Sequence, residues 1–367
     1  MYQVNLLNKC LYGLRQAMIL CSSAFVLLTA STLTELPQSK LLAQEEIVSQ
    51  NLEAASLYQQ GVMRYNRNDL PGAESAFRQA LEKDARLGAA RNYLGNIMLQ
   101  QNRLDLAAQE YGEAIRLSPN LVQAYYNLGV VLQKQEQPEA AITAYRQALV
   151  IDPAMASAQY NLGAVLYEQG KIPEAIAAYK EAVKLNKDND KAYFNLAIAL
   201  QQQGEIEQAI TAYRQGIQTN PQNAIAYNNL GSLLVVQGQT QEAIATYQEA
   251  IRRLPKDSTA YYNLGITLYN QGELQQADKL LKHAQKKYQE QGDAQKTAKI
   301  GQIIDYIAYT QQKQPPATAT AALPEKSTPD EQPQVVEFSV EQEQQEPEAT
   351  PSTPVNPIET SVNTLKK

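Results

Sequence analysis

Between residues 54 and 291 apolar positions recur three and four apart, the spacing of an amphipathic helix, and that pattern itself repeats every 34 residues. Aligning the chain on itself at this step gives seven units: 54–87, 88–121, 122–155, 156–189, 190–223, 224–257 and 258–291. Each predicts two helices. The first carries Asn-Leu-Gly or a close variant, as in Asn127-Leu128-Gly129, Asn161-Leu162-Gly163, Asn195-Leu196-Ala197, Asn229-Leu230-Gly231 and Asn263-Leu264-Gly265. The second carries a small residue (Ala73, Ala107, Ala141, Ala175, Ala209, Ala243, Ala277), then an aromatic four positions on (Phe77, Tyr111, Tyr145, Tyr179, Tyr213, Tyr247, with Leu281 in the last unit). A second small residue, such as Ala148 or Gly216, follows after three more.

Each position has a physical role. Small residues at Gly129 and Ala141 let two helix backbones approach closely, and Tyr145 is expected to fill the gap between one hairpin and the next. Gly170, Gly204, Gly238 and Gly272 are expected to end first helices in the left-handed conformation that glycine adopts without penalty. Pro71 and Pro173 suit the first turn of a second helix, where no N–H is required. Pro119, Pro153, Pro221 and Pro255 stop second helices. Ala85 and Lys187 stand where two further units lack that proline. Tyr288 falls outside the aromatic register and is expected to matter less to stability than Tyr179. From Asp293 to Gln312 one more amphipathic helix is predicted, covering the last repeat as a stacked array requires.

This small–aromatic–Ala–Pro spacing resembles the tetratricopeptide-repeat family over residues 54–291. The resemblance implies an all-α fold, a right-handed superhelical solenoid of antiparallel helix pairs that serves as a protein-binding scaffold. It also implies that first helices line an inner groove. On that basis the candidate peptide-binding residues are Asn127, Asn161, Asn195, Asn229 and Asn263, with Tyr126, Tyr160, Phe194 and Tyr262 beside them and Asn228 in the same column. One amide per repeat can donate to and accept from an extended peptide main chain, and the rings offer apolar contact. A clamp for a C-terminal carboxylate fits poorly. Asn92, Ser157 and Asn161 stand where such a clamp would carry Lys or Arg.

Composition narrows the function further. The net charge is −6, and no basic stripe offers the positive surface that nucleic-acid binding needs. The single histidine, His283, lies among Lys282, Lys286 and Lys287 without a nucleophile or carboxylate partner. No Cys/His cluster has metal-ligand spacing and no glycine-rich loop follows a strand. The expectation is therefore a chain that is not an enzyme, needs no cofactor and holds no metal.

The ends differ from the repeats. Residues 1–34 contain no acid, and Lys9 and Arg15 precede an uncharged, apolar run from Gln16 to Thr34. That is the pattern of a signal peptide or an N-terminal membrane anchor, followed by a short linker, 35–53. The repeats would then be extracytoplasmic, in a periplasm or lumen, either anchored or secreted. After the predicted capping helix, 292–312, residues 313–367 are rich in Pro, Glu and Gln and are expected to be disordered. From residue 311 onward there are nine acidic and four basic residues. The short apolar stretch Val335–Val340 could add as a strand to a partner's sheet edge, though the incidental reading is favoured. The expected function is a non-catalytic adaptor for protein partners, in assembly or maintenance of a membrane or envelope complex. A passive spacer with tail contacts and a non-catalytic subunit of a transferase are the alternatives.

Overall fold

The computed structural model describes residues 51–313. The apolar N-terminal run and the tail from residue 314 lie outside the described residues. Those described form fifteen helices and no strand. They are α1 Leu52–Asn66, α2 Leu70–Lys83, α3 Gly88–Gln100, α4 Leu104–Leu117, α5 Val122–Lys134, α6 Pro138–Ile151, α7 Ala156–Glu168 and α8 Ile172–Leu185. Then follow α9 Asp190–Gln203, α10 Ile206–Thr219, α11 Ala224–Val236, α12 Thr240–Arg253, α13 Ser258–Asn270, α14 Leu274–Glu290 and α15 Ala294–Lys313. No described helix is long and apolar enough to cross a membrane.

The chain divides into two compact units, one ending at Val131 and one beginning at Leu132. Within the first, α1 packs on α2 and α3 on α4 as antiparallel pairs, and α2 stacks on α3. Within the second, α7/α8, α9/α10, α11/α12 and α13/α14 pair in the same way, each stacking on the next, and α15 lies along α14.

The aromatic position explains the pairing. Its ring lies against the glycine of its own hairpin and also reaches the next one, as expected: Phe77 stacks on Tyr93 at 5.0 Å. A β-carbon on Gly163 would sit 2.7 Å from Cδ1 of Tyr179, and one on Gly61 would sit 2.6 Å from the Phe77 ring. The glycine's role is to admit a ring. Phe77, Tyr111, Tyr145, Tyr179, Tyr213 and Tyr247 are all fully buried. Leu281 fills the same place under Gly265 in the last pair. Tyr288 departs from expectation. It is buried, its hydroxyl is 3.1 Å from Thr259 Oγ1, and Lys296 Nζ lies 4.8 Å over its ring. The capping helix supplies that cation, so Tyr288 belongs to the core that α15 closes.

Helix ends follow one rule at the first helices and another at the second. Every first helix ends in a left-handed residue whose successor's N–H reaches back five residues, for example Glu205 N to Leu200 O at 2.8 Å. Gly170, Gly204, Gly238 and Gly272 take this place with φ of 70°, 84°, 72° and 81°. Earlier in the chain Asn68, Asn102 and Glu136 do so, at 61°, 57° and 58°. Asparagine tolerates this region, but glutamate gains nothing from it. Glu136→Gly is therefore expected to stabilise the chain by about 1 kcal/mol, the relieved left-handed penalty less the extra freedom of an unfolded glycine. Urea unfolding followed at 222 nm checks it, and an unchanged or lower midpoint would contradict the assigned strain.

Four of the second helices end in an Asx turn, while α14 ends on the left-handed Gly292, at φ 77°. Asp84 Oδ1 accepts from Arg86 N, Asp152 from Ala154 N, Asn186 from Asp188 N and Asn220 from Gln222 N, at 3.0–3.2 Å. Asp84 and Asn186 make that turn where Ala85 and Lys187 replace proline. At the start of the array, Asn51 caps α1 by accepting from Glu53 N and Ala54 N, so the helix begins at Leu52.

Candidate functional site

The nine candidate groove residues do not project into solvent. Asn127, Asn161, Asn195, Asn229, Asn263, Tyr126, Tyr160, Phe194 and Tyr262 are all buried, none more than 6% exposed. Their partners give the reason. Consecutive first helices pack side by side, so these positions face the preceding repeat or the aromatic of their own. In the first unit Asn127 Nδ2 donates to Asn96 Oδ1 at 2.9 Å, and the Tyr111 hydroxyl donates to the same oxygen at 2.8 Å. In the second, Asn195 Nδ2 donates to the Tyr160 hydroxyl at 3.3 Å and Asn229 Nδ2 to the Tyr213 hydroxyl at 3.2 Å. Phe194 meets Tyr213 edge-on at 5.7 Å, and Tyr160 meets Tyr179 at 6.0 Å. Lys299 of α15 lies 5.5 Å over the Tyr262 ring. At Asn127, Asn195 and Asn229 the amide column thus makes neutral hydrogen bonds between neighbouring repeats, each worth about 0.5–1.5 kcal/mol net.

Burial dominates the electrostatics of the tyrosines. It pushes the Tyr93 phenol up to about 12 and likewise raises the phenols of Tyr58, Tyr111, Tyr179, Tyr213 and Tyr247. Amide or hydroxyl hydrogen bonds from Asn229 and Ser232 offset this at Tyr213 and Tyr247 without reversing it. These groups are neutral donors and acceptors that hold repeats in register, with no proton to offer near neutral pH.

Accessible chemistry lies one turn further along the first helices. In the second unit Gln133, Tyr167, Gln201, Val235 and Tyr269 recur at 34-residue intervals and are half-buried. Beside them Lys134, Glu168, Gln202, Val236 and Asn270 are exposed, Val236 to 69%. Partial burial raises the phenols of Tyr167 and Tyr269 above their ordinary value. Gln133 Nε2 reaches Glu168 Oε1 at 3.5 Å, so neighbouring repeats touch along this stripe too. The stripe combines amides, which can match a peptide main chain, with phenol rings and valines, which can take apolar side chains. Sequence reasoning passed over it because the Asn-Leu-Gly signature drew attention to the preceding turn. The 34-residue recurrence of Gln, Tyr and Val was the available signal.

Among the described residues no group of three or more His, Cys, Asp or Glu is placed to hold a metal ion. His283 is exposed and lies against the Tyr261 ring, centroids 4.0 Å apart.

The solved structures similar to this chain are repeat proteins of modest overall likeness. The crystal structure of MamA is 27% identical, covering 44% of this chain and 95% of that one with a TM-score of 0.42. YrrB, described as a TPR protein with an unusual peptide-binding site, is 24% identical, covering 49% and 93% with a TM-score of 0.45. PilF of Pseudomonas aeruginosa is 23% identical, covering 56% and 96% with a TM-score of 0.45. No curated protein matches the chain. The family model described as "Cilia and flagella-associated protein 70 C-terminal domain" matches residues 22–300, well over half of the sequence. With its stacked helix pairs and 34-residue register, the chain belongs to that family of tetratricopeptide-repeat proteins.

Proposed function

We propose that this protein is a non-catalytic adaptor that binds extended segments of partner proteins, outside the cytoplasm, in assembly or maintenance of a membrane or envelope complex. A tetratricopeptide fold is a protein-interaction scaffold, and the recurring Tyr/Gln/Val stripe at the ends of the first helices carries the reading. The stripe repeats with the array, so a ligand in extended conformation would meet similar chemistry at each step. Affinity would accumulate from many weak contacts and tolerate varied ligand side chains. The buried asparagines contribute by fixing the spacing of those steps. Extracytoplasmic placement rests on the acid-free, basic-then-apolar N-terminal segment.

The test uses peptides selected from a displayed random library on the full-length chain in detergent. Tyr167→Ala with Val236→Glu is expected to weaken the selected peptides at least tenfold, about 1.4 kcal/mol, with the helical spectrum unchanged. Peptides that bind the variant as well as the parent would place the binding surface elsewhere. A reporter enzyme fused after residue 60 is expected to be active only outside the cytoplasm.

A further inference from the structure

The outer face of the last repeat lacks counter-charges that earlier repeats possess. In three second helices an acid precedes a cation by three residues and pairs with it: Glu113–Arg116 at 2.9 Å, Glu181–Lys184 at 3.0 Å and Glu249–Arg252 at 2.6 Å. Hydrogen bonds from Arg252 and then Arg253 hold the Glu249 carboxyl down to about 2. In α14 the corresponding residues are His283 and Lys286, so the acid is missing. A second recurring pair joins consecutive repeats 28 residues apart, as in Arg146–Glu174 at 2.7 Å, Lys180–Gln208 at 3.0 Å and Arg214–Glu242. Lys282 holds the cation's place, but the residue 28 further on is Thr310, whose hydroxyl bonds Tyr306 O and Ile307 O of its own helix.

Lys279, Lys282, His283 and Lys286 consequently lie exposed on one face of α14. The nearby acids are engaged. Asp278 pairs with Lys282 at 2.8 Å, and Glu290 pairs with Lys287 at 3.0 Å. The Lys287 bond is the chief cause of Glu290's lowered pKa, with smaller effects from Lys286 and His283. Three lysines thus share two acids, one of which is turned mainly to a fourth.

We propose that this face is the docking surface for the chain's own acidic segment, Glu337–Glu348. That segment holds five glutamates and no basic residue. It matches the face in charge and follows it closely in sequence. Helix α15 packs along α14 and spans about 30 Å at 1.5 Å per residue, so its end at Lys313 returns toward the start of α14. From Lys313 to Glu337 are 24 residues, whose extended reach of ~80 Å far exceeds the distance back across the lysines. Tethering gives the segment an effective concentration of about millimolar, which lets weak, exposed ion pairs act together although each alone contributes little. An acidic ligand from elsewhere must compete with it.

Zero-length carbodiimide cross-linking of the full-length chain at low salt tests this, with linked peptides identified by mass spectrometry. Glutamates 337–348 are expected to couple chiefly to Lys279, Lys282 and Lys286. The yield should fall at least fivefold in 0.5 M sodium chloride, as exposed charges are screened within about 4 Å. It should fall similarly in Lys279→Gln/Lys282→Gln/Lys286→Gln, whose exposed substitutions leave the core untouched. Tail links spread over all exposed lysines would overturn the proposal. Links between isotopically distinct copies would assign the face to a second chain. Absence of tail links, with lysine-dependent retention on phosphatidylserine vesicles, would assign it to a membrane.

Discussion

Raising the pH above 10 is expected to unfold the repeat array abruptly, with helix loss and tyrosine ionisation in the same narrow interval. Six tyrosines, no more than 6% exposed, have phenols raised by burial: Tyr58, Tyr93 and Tyr111 in the first unit, and Tyr179, Tyr213 and Tyr247 in the second. A phenol whose folded pKa exceeds its unfolded value near 10 keeps its proton in the native state while the unfolded chain loses it. The stabilisation is fully present below pH 10 and is lost as pH rises toward the folded pKa, which for Tyr93 is about 12. Each such group costs about 1.4 kcal/mol per pH unit in that window. Three per unit therefore remove about 4 kcal/mol of each unit's stability per pH unit, against a typical total of about 5–15 kcal/mol for a domain. Absorbance at 295 nm and ellipticity at 222 nm should change together between pH 11 and 12. Smooth phenol titration centred near 10 with ellipticity intact would show that these rings are not the sealed core described above.

The fold was legible because its signal is repeated. A glycine or an aromatic ring says little once, but at a fixed 34-residue step it defines two helices and their partnership. The glycine at the end of each first helix was equally plain where it is glycine. Glu136 was not, because a glutamate carries no propensity for φ of 58°, and only its neighbours' register places it there. The same holds for Asp84 and Asn186, whose side chains make turns usually credited to the following proline.

The candidate site was misread for a different reason. A column of asparagines on successive first helices is compatible with a ligand ladder and with contacts between repeats, and composition treats both alike. The distinction lies in partners about one repeat away, such as Asn96 for Asn127, and in distances that periodicity does not contain. What sequence does show, once the structure assigns the positions, is where a recurring pair is broken. Replacement of the usual acid by His283 is visible in the letters alone. Its meaning depends on knowing that Glu181 and Glu249 reach their cations.

Removing the ring from a central repeat should be the most damaging single substitution, and its cost should depend on one glycine. Tyr179 is fully buried beneath Gly163 and against Tyr160. Tyr179→Ala is expected to cost about 3–5 kcal/mol, the range for deleting a large core aromatic. Gly163→Val should cost about 1–3 kcal/mol or more by overpacking, because even its β-carbon would lie 2.7 Å from the ring. The two losses should not add. With the ring gone, valine occupies space that alanine left empty, so the double variant should be more stable than the sum of the singles by about 1–3 kcal/mol. The Gly265–Leu281 pair shows that an aliphatic side chain can fill this site. Tyr288→Ala should also be costly, about 3 kcal/mol as another aromatic truncation, because α15 covers it and Thr259 holds its hydroxyl. Urea unfolding of all four variants, fitted with neighbour coupling between repeats, gives the comparison. Strict additivity at positions 163 and 179 would show that the ring does not lie where the glycine admits it.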